Sequence, residues 1–535
     1  MAHILDQPPA GAPASYVAEG RLVRTRPDEG GGSIIITSNK AVRTAIAAAS
    51  AVGLVALAAS SATAAGTAAP ARPALALVSP VTEVTLDADP DYGTQLNLST
   101  YVVAGNAPIE VRATRANFNS PVVAKQYVNG KPVAMPKGLV TDFSGLGKFL
   151  HVALTDAQGK KVLDVDQSLC LNGDGSRTRP DAPATSPYPD YCNSNPFTTG
   201  AVWGLQKGWS ASTFSYDDKP VKLAVGKYKA LITVNKAYRD LFKIPANQSK
   251  LTMNVNIVPG DPGCDPGHGD GCRTAQGKQG PAPKAKALQP HAKRPAGKPS
   301  TPKGPKPDLV SVPAWGMAIT KGEEGTADAD REYLAFAATV WNAGPSPLVL
   351  DGFRRQGKDL MDAFQYFYDD KGKEIGYQNT GTMEWDPREG HVHWHFTDFA
   401  RYSLLNAKQS EVVRSQKEAF CLAATDMMDY TVKNANWHPM NTDLHTACGD
   451  HTSLSVREVL DVGSGDTYNQ TKPGQSFDIT DLPNGEYFVE VKANPEGKLF
   501  EGNTKNNVAL RKVVLGGVKG ARTVKVPPVG VIDAP

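Results

Sequence analysis

The sequence predicts an all-β protein: two β-sandwich-like domains joined by a basic Pro/Lys-rich linker. Segments that alternate apolar and polar residues recur through both halves, as half-buried strands do. No long segment keeps a helical period, and 50 Gly and 41 Pro favour short strands with many turns. Between the halves, residues 261–307 break the pattern by composition. At 535 residues the chain has room for two or three domains with sizeable cores. A net charge of only +3 excludes the uniformly basic character of a nucleic-acid binder.

Residues 1–65 read as a polar prefix followed by a secretory signal peptide. Lys40 and Arg43 precede the apolar, Ala-rich run "TAIAAASAVGLVALAASSATAAG", which ends in small residues at Ala62-Thr63-Ala64. Export to the outside is the expectation, with membrane anchoring by an uncleaved signal as the alternative. Six cysteines agree with export. They fall as three sequence-near pairs, Cys170 with Cys192, Cys264 with Cys272 and Cys421 with Cys448.

The N-terminal β-rich companion domain spans residues 78–260, where "VTEVTLD", "PIEVRATRA", "FLHVALTDA", "KYKALITVN" and "KLTMNVNIV" alternate as strands. Residues 261–307 hold the small Cys-closed loop "GDPGCDPGHGDGC" and then the linker. From Arg273 to Lys306 there are nine Lys or Arg and no acid, so the rest of the chain carries −6. Such a tract builds no core and reads as an extended, solvated spacer. Its alternative role is to hold an anionic cell-envelope polymer. Residues 308–520 form the second β-rich domain, with strands in "REYLAFAATVWNAG", "AFQYFYDDKGKEI", "SLSVREVLDV", "NGEYFVEVKAN" and "NNVALRKVVL". Residues 521–535 are a C-terminal tail.

The halves also echo each other. "SLCLNGDG" around Cys170 parallels "AFCLAATD" around Cys421, and the Gly-x-Tyr strands "VGKYKALITV" and "NGEYFVEVKA" follow in the same order. Either the chain holds a degenerate duplication, or two unrelated sandwiches share composition. The first half has no counterpart to the one unusual run of the second, "EGHVHWHFTDFARYSLL".

In that run His391, His393 and His395 occupy alternate positions. In a strand they share one face, while Val392, Trp394 and Phe396 share the other. A helix would turn the middle histidine away. Three imidazoles on one face suit a metal, with copper or zinc first and iron or nickel also open. Three protein ligands leave positions for water or substrate.

The run resembles the copper-binding segment of the lysyl oxidase family, in which H-x-H-aromatic-H leads into D-x-F and Tyr-x-Leu-Leu. Further matches follow in the family's order: "SQKEAFCLAATD", "SGDTYNQTKPGQSFDITDLPNGEYFVEVKANP", "PDLV" at residues 307–310 and "LFEGNTKNNVAL". The resemblance covers about residues 307–515. It implies copper ligation by His391, His393 and His395. It also implies that Lys417 and Tyr468 are precursors of lysine tyrosylquinone, a cofactor the protein makes from itself. The implied activity is oxidative deamination of primary amines, peptidyl lysine ε-amines in the family. Molecular oxygen is consumed, and aldehyde, ammonia and hydrogen peroxide are released.

One position departs from the family. Animal members carry a histidine, proposed as a base, just before Tyr-x-Leu-Leu, where this chain has Arg401, which cannot accept a proton. Asp398 matches a family aspartate and is the first candidate for the base, followed by His445 and His451. "FEGNTKNN" gathers oxygen donors that suit calcium. The family's pattern implies Glu501, Asn503, Asn506 and Asn507 together with Asp308 and Leu309 as that site, with Asn503 standing where relatives have Asp. The competing reading is a non-catalytic secreted copper-binding or cell-envelope protein. A zinc hydrolase has no H-E-x-x-H or Ser-His-Asp motif to support it.

Overall fold

Strand-forming alternation dominates the computed structural model, which is 48% strand and 2% helix. It describes residues 74–215, 218–260, 290–322, 325–388, 392–415, 417, 419–439, 448–469 and 474–535. The signal peptide, Cys264, Cys272, His391 and His445 therefore lie outside the described residues.

The first half begins with β1 (Leu75–Val78), β2 (Glu83–Ala88), β3 (Tyr101–Ala104), β4 (Ile109–Thr114), β5 (Val123–Val128), β6 (Lys131–Ala134) and β7 (Leu146–Thr155). It continues with β8 (Lys161–Leu169), β9 (Ser176–Arg177), β10 (Gly200–Leu205), β11 (Trp209–Ser212), β12 (Gly226–Val234) and β13 (Lys250–Pro259). One short helix, α1 (Lys236–Phe242), joins the last two.

The second half runs through β14 (Leu309–Ser311), β15 (Trp315–Lys321), β16 (Glu332–Asn342), β17 (Leu348–Arg354), β18 (Leu360–Tyr368), β19 (Glu374–Asp386), β20 (His393–Thr397) and β21 (Ala400–Asn406). Then come β22 (Glu411–Arg414), β23 (Ala419–Phe420), β24 (Asp426–Met427), β25 (Ser455–Leu460) and β26 (Ser464–Tyr468). β27 (Ser476–Asp478), β28 (Gly485–Ala493), β29 (Val508–Val518) and β30 (Ala521–Lys525) finish it.

The two halves share a topology. The sheet ordered β1-β3-β11-β9 recurs as β14-β16-β26-β24, and β10-β4-β5-β6 recurs as β25-β17-β18-β19. The path β8-β7-β12-β13 recurs as β22-β21-β28-β29. Every one of these shared pairings is antiparallel in both halves. The disulfides obey the same order, Cys170–Cys192 after β8 and Cys421–Cys448 after the β22–β23 segment. The shared strand order, direction and disulfide position are the arrangement a duplication would leave.

The halves differ at one sheet edge. In the first, the sheet ends at β6, a fully exposed strand carrying Lys131 and Pro132, which protect an open edge. In the second, the equivalent strand β19 is extended to thirteen residues, and β20 and then β23 are added beyond it.

The described residues belong to one compact unit. Asn193 and Thr199 of the first half pair by backbone with Met427 and Met428 of the second, and Tyr430 N–H donates to the Gly200 carbonyl at 2.9 Å. Residues 521–535 are not a free tail. β30 pairs with β29, and beyond it Val531 N–H donates to the Phe118 carbonyl while Ile532 is buried with Phe197, Val312 and Met428.

The linker expectation also changes. Residues 290–307 run along the second half's sheet, with most of their side chains exposed. His291 stacks on Tyr366 at 4.1 Å between centroids and its ring nitrogens meet Asp351 at 2.6 Å and Glu374 at 2.9 Å. Arg294 pairs with Asp362, and Ser300 N–H donates to the Tyr377 carbonyl at 2.9 Å. Composition shows the tract's cations and prolines but not the carboxylates waiting on β17, β18 and β19. No helix among the described residues is long and apolar enough to cross a membrane.

Candidate functional site

β20 is a short strand buried on both faces. Trp394 and Phe396 point into the core at 0% exposure, as alternation requires, and His395 on the other face is also only 1% exposed. Val392, assigned to the apolar face by sequence, precedes the strand and is 54% exposed. His393 and His395 project together, with ring centroids 4.6 Å apart. β20 pairs with β19 so that Asp386 lies opposite His393, and Asp386 Oδ2 stands 3.4 Å from His395 Nδ1. That approach is longer than a hydrogen bond and sets the Asp386 charge behind the His395 ring. Burial would raise Asp386, but the Arg388 guanidinium, with bonds of 2.5 to 3.1 Å to both carboxylate oxygens, holds it well below the usual carboxylate range. Among the described residues no three His, Cys or carboxylate side chains converge on one point. His391, the third of the run, lies outside them. Two adjacent imidazoles, His395 buried with a carboxylate behind it and His393 half-buried, fit a metal.

Pairing of β20 with β23, Phe396 opposite Phe420 and Thr397 opposite Ala419, brings the Lys417 segment to the histidine strand. Lys417 is 2% exposed, and its Nζ lies 4.5 Å from the centroid of the Tyr468 ring. Its backbone N–H donates to Ser415 Oγ at 3.1 Å, and that hydroxyl donates to the Gly474 carbonyl at 2.6 Å. Tyr468, the last residue of β26, donates its hydroxyl proton to the Cys421 carbonyl at 2.7 Å. Phe420 packs edge-on against it at 5.1 Å. Burial, reinforced by the Asp466 and Glu458 carboxyls, pushes the Tyr468 phenol well above its usual range.

The disulfide closes the arrangement. Cys421 follows the lysine segment, and its partner Cys448 accepts the Trp394 N–H on its carbonyl at 3.1 Å, between the two histidines. Trp394 Nε1 then donates to the Asp450 carbonyl at 2.8 Å. Histidine strand, lysine and tyrosine, separated by up to 75 residues of sequence between His393 and Tyr468, are thus linked through the β20–β23 pairing and the core that Trp394, Phe396, Phe420 and Tyr468 share.

The candidate bases are less central. Asp398, in a left-handed turn at φ 65 just past β20, is partly exposed and takes an ion pair from Lys498 at 2.5 Å. His451 binds Asp359 at 2.9 Å near the surface. Arg401, on β21, reaches Glu496 at 3.6 Å. Three buried acids were not singled out by sequence: Asp386, Asp466 and Glu458. Asp466 had the only usable signal, a carboxylate two residues before Tyr468 in a strand.

The expected calcium ligands gather in part. Glu501 accepts from Leu309 N–H at 3.0 Å and from the Asn494 and Asn507 amides at 2.7 and 2.8 Å. The Asn506 amide donates to Asp308 at 2.9 Å. The Asn506 and Asn507 Oδ1 atoms are buried and accept no hydrogen bond among the described residues, as donors to a hard cation would be. Asn503 does not join them: it is exposed and accepts from Lys505 N–H at 3.1 Å, closing its own turn.

Comparison with known proteins agrees with this region. Residues 361–522 match the lysyl oxidase family model. A 126-residue stretch is 35% identical to protein-lysine 6-oxidase of Sus scrofa, covering 23% of this chain and 44% of that protein. The bovine protein-lysine 6-oxidase is also 35% identical over 126 residues, 26% of its length. Human lysyl oxidase homolog 4 is 30% identical over 130 residues, 24% of this chain and 15% of that one. The chain spans less than half the length of these relatives. Fold and site define a β-sandwich protein that buries a lysine against a tyrosine and carries paired histidines on a neighbouring strand. Residues 361–522 are similar to the lysyl oxidase family.

Proposed function

We propose that the protein is an exported copper-dependent amine oxidase of the lysyl oxidase type, converting primary amines, peptidyl lysine foremost, to aldehydes with release of ammonia and hydrogen peroxide. The observation that carries this reading is Lys417 Nζ at 4.5 Å from the Tyr468 ring centroid, both buried, next to the strand β23 that pairs with the histidine strand β20. His391, His393 and His395 hold the copper, and Lys417 and Tyr468 become the quinone. Together these groups supply an electron sink for the amine and a route for electrons to molecular oxygen.

The chain's own residues prepare that chemistry. Asp386 sets its charge behind the His395 ring. The Tyr468 hydroxyl is held by the Cys421 carbonyl, which fixes the ring plane beneath Lys417. Phe420, Tyr402 and Phe399 wall the site against water. Asp398, at the site's exposed side, is the base that takes a proton from the substrate carbon, once Lys498 releases it. Calcium binds at Asp308, Leu309, Glu501, Asn506 and Asn507 and pins the domain's first strand to its last loop.

Expression of the secreted form with copper tests the reading. Amine-dependent peroxide release and a quinone chromophore are expected. Lys417→Arg should lose both and keep copper. Copper binding with neither signal in wild type would instead support a non-catalytic copper-binding protein.

A further inference from the structure

The Lys417 ammonium is a poor nucleophile until it loses a proton, and burial leaves no bulk water to take it. Asp466 lies two residues before Tyr468 on β26, so both side chains project from the same face of the strand. Both lie in the second half's interior, with Asp466 3% exposed. The Ala423 N–H donates to its carboxylate, while Oδ2 makes no hydrogen bond among the described residues. Thr467, between them, faces the other way, where it and Asn195 bind Asp426.

We propose that Asp466 takes the ammonium proton of Lys417, so that the amine enters cofactor formation uncharged. This rests on the reading of Lys417 and Tyr468 as cofactor precursors. The step is a proton transfer alone. An Nζ–H bond breaks and leaves its electron pair on nitrogen, and an O–H bond forms on Asp466. Oxidation of the tyrosine ring draws on molecular oxygen, as in the proposed activity.

Electrostatics favour the transfer. Removing one charge of each sign from a dry site relieves two desolvation costs at once. Burial drives Asp466 well above the ordinary aspartate range, with the Lys417 charge opposing and Asp426 adding to the rise. Glu458 on β25 and the Tyr402 phenol on β21 also face it, and burial raises both. Glu458 accepts the Leu422 N–H at 3.0 Å on Oε2 and, like Asp466, has one oxygen without a hydrogen bond among the described residues, but it feels Asp466 and no cation. It therefore does not compete for the proton.

The test follows the Lys417–Tyr468 cross-link by peptide mass spectrometry after copper is added aerobically to the copper-free full chain. Wild type should cross-link at pH 7. Asp466→Asn should bind copper with the same stoichiometry and cross-link at least about tenfold more slowly. Hydroxide then replaces the missing base, so its rate should rise about tenfold per pH unit towards pH 9. If the Asp466→Asn variant cross-links at the wild-type rate, the proposal is overturned, as it is if that variant stays slow at pH 9. Absence of the cross-link in wild type overturns the cofactor reading and this step with it. Should Asp466→Asn not fold, the wild-type pH profile decides. It levels off once Asp466 is ionised, and a continued tenfold rise per pH unit contradicts the proposal.

Discussion

The two halves repeat one strand order, yet only the second holds the residues of the proposed site. In the first, β6 ends its sheet as an exposed edge and residues 135–145 lead directly to β7. In the second, the equivalent interval holds β20 with its histidines. Four residues before the first cysteine of each disulfide stands Asp166 in one half and Lys417 in the other. The strand that ends in Tyr468 in the second half corresponds to β11, which ends in Ser212. The scaffold therefore does not define the activity. On the proposed reading a strand added at one edge, Lys417 just past β22 and Tyr468 at the end of β26 do.

Replacing Lys417 should break this contrast most sharply. Lys417→Arg should reduce amine oxidation to background and abolish the cross-link, with copper stoichiometry unchanged by metal analysis. Next in size are the paired disulfides. Cys170–Cys192 and Cys421–Cys448 close loops of 22 and 27 residues, so opening either should cost about 3 kcal/mol of stability in denaturant titration. Only Cys448→Ser should also weaken copper binding, because Cys448 holds the backbone of Trp394 between the histidines.

Asp386→Asn should weaken copper binding by about 10–100-fold, read by competition with a chelator. Equal affinity would show that the carboxylate behind His395 has no part in the site. At the junction, Asn195→Ala removes the first half's donor to the half-buried Asp426 and should cost about 1–3 kcal/mol. If unfolding then splits into two transitions, the junction was what made the halves one cooperative unit.

The smallest effect concerns the strap over the second half. The Asp351 hydrogen bond raises the His291 pKa, partly offset by burial. A raised folded pKa means this contribution is full below the unfolded histidine value of about 6.5 and is lost as pH rises through the folded one. His291→Gln should flatten stability across that window and leave the activity profile unchanged.

Much of this was legible in the sequence. Each alternating segment, from "VTEVTLD" to "NNVALRKVVL", forms a strand or part of one. β10 escaped because all six of its residues are buried, which erases alternation. The histidine face was readable from spacing two. The burial of His395 was not, because it depends on β19 and β23 closing on either side. Lys417 and Tyr468 carry no local signal and were reached through resemblance; their contact is a long-range product of β20–β23 pairing and the Cys421 carbonyl. The docking of residues 290–307 was invisible because its partners lie some 60 to 80 residues further on.

Peptide mapping of the copper-loaded wild-type protein tests the central claim most directly. A covalent link between the peptides holding Lys417 and Tyr468, with no equivalent link in residues 74–260, is the predicted result. Unmodified Lys417 and Tyr468 peptides in protein that has bound copper in air would contradict it.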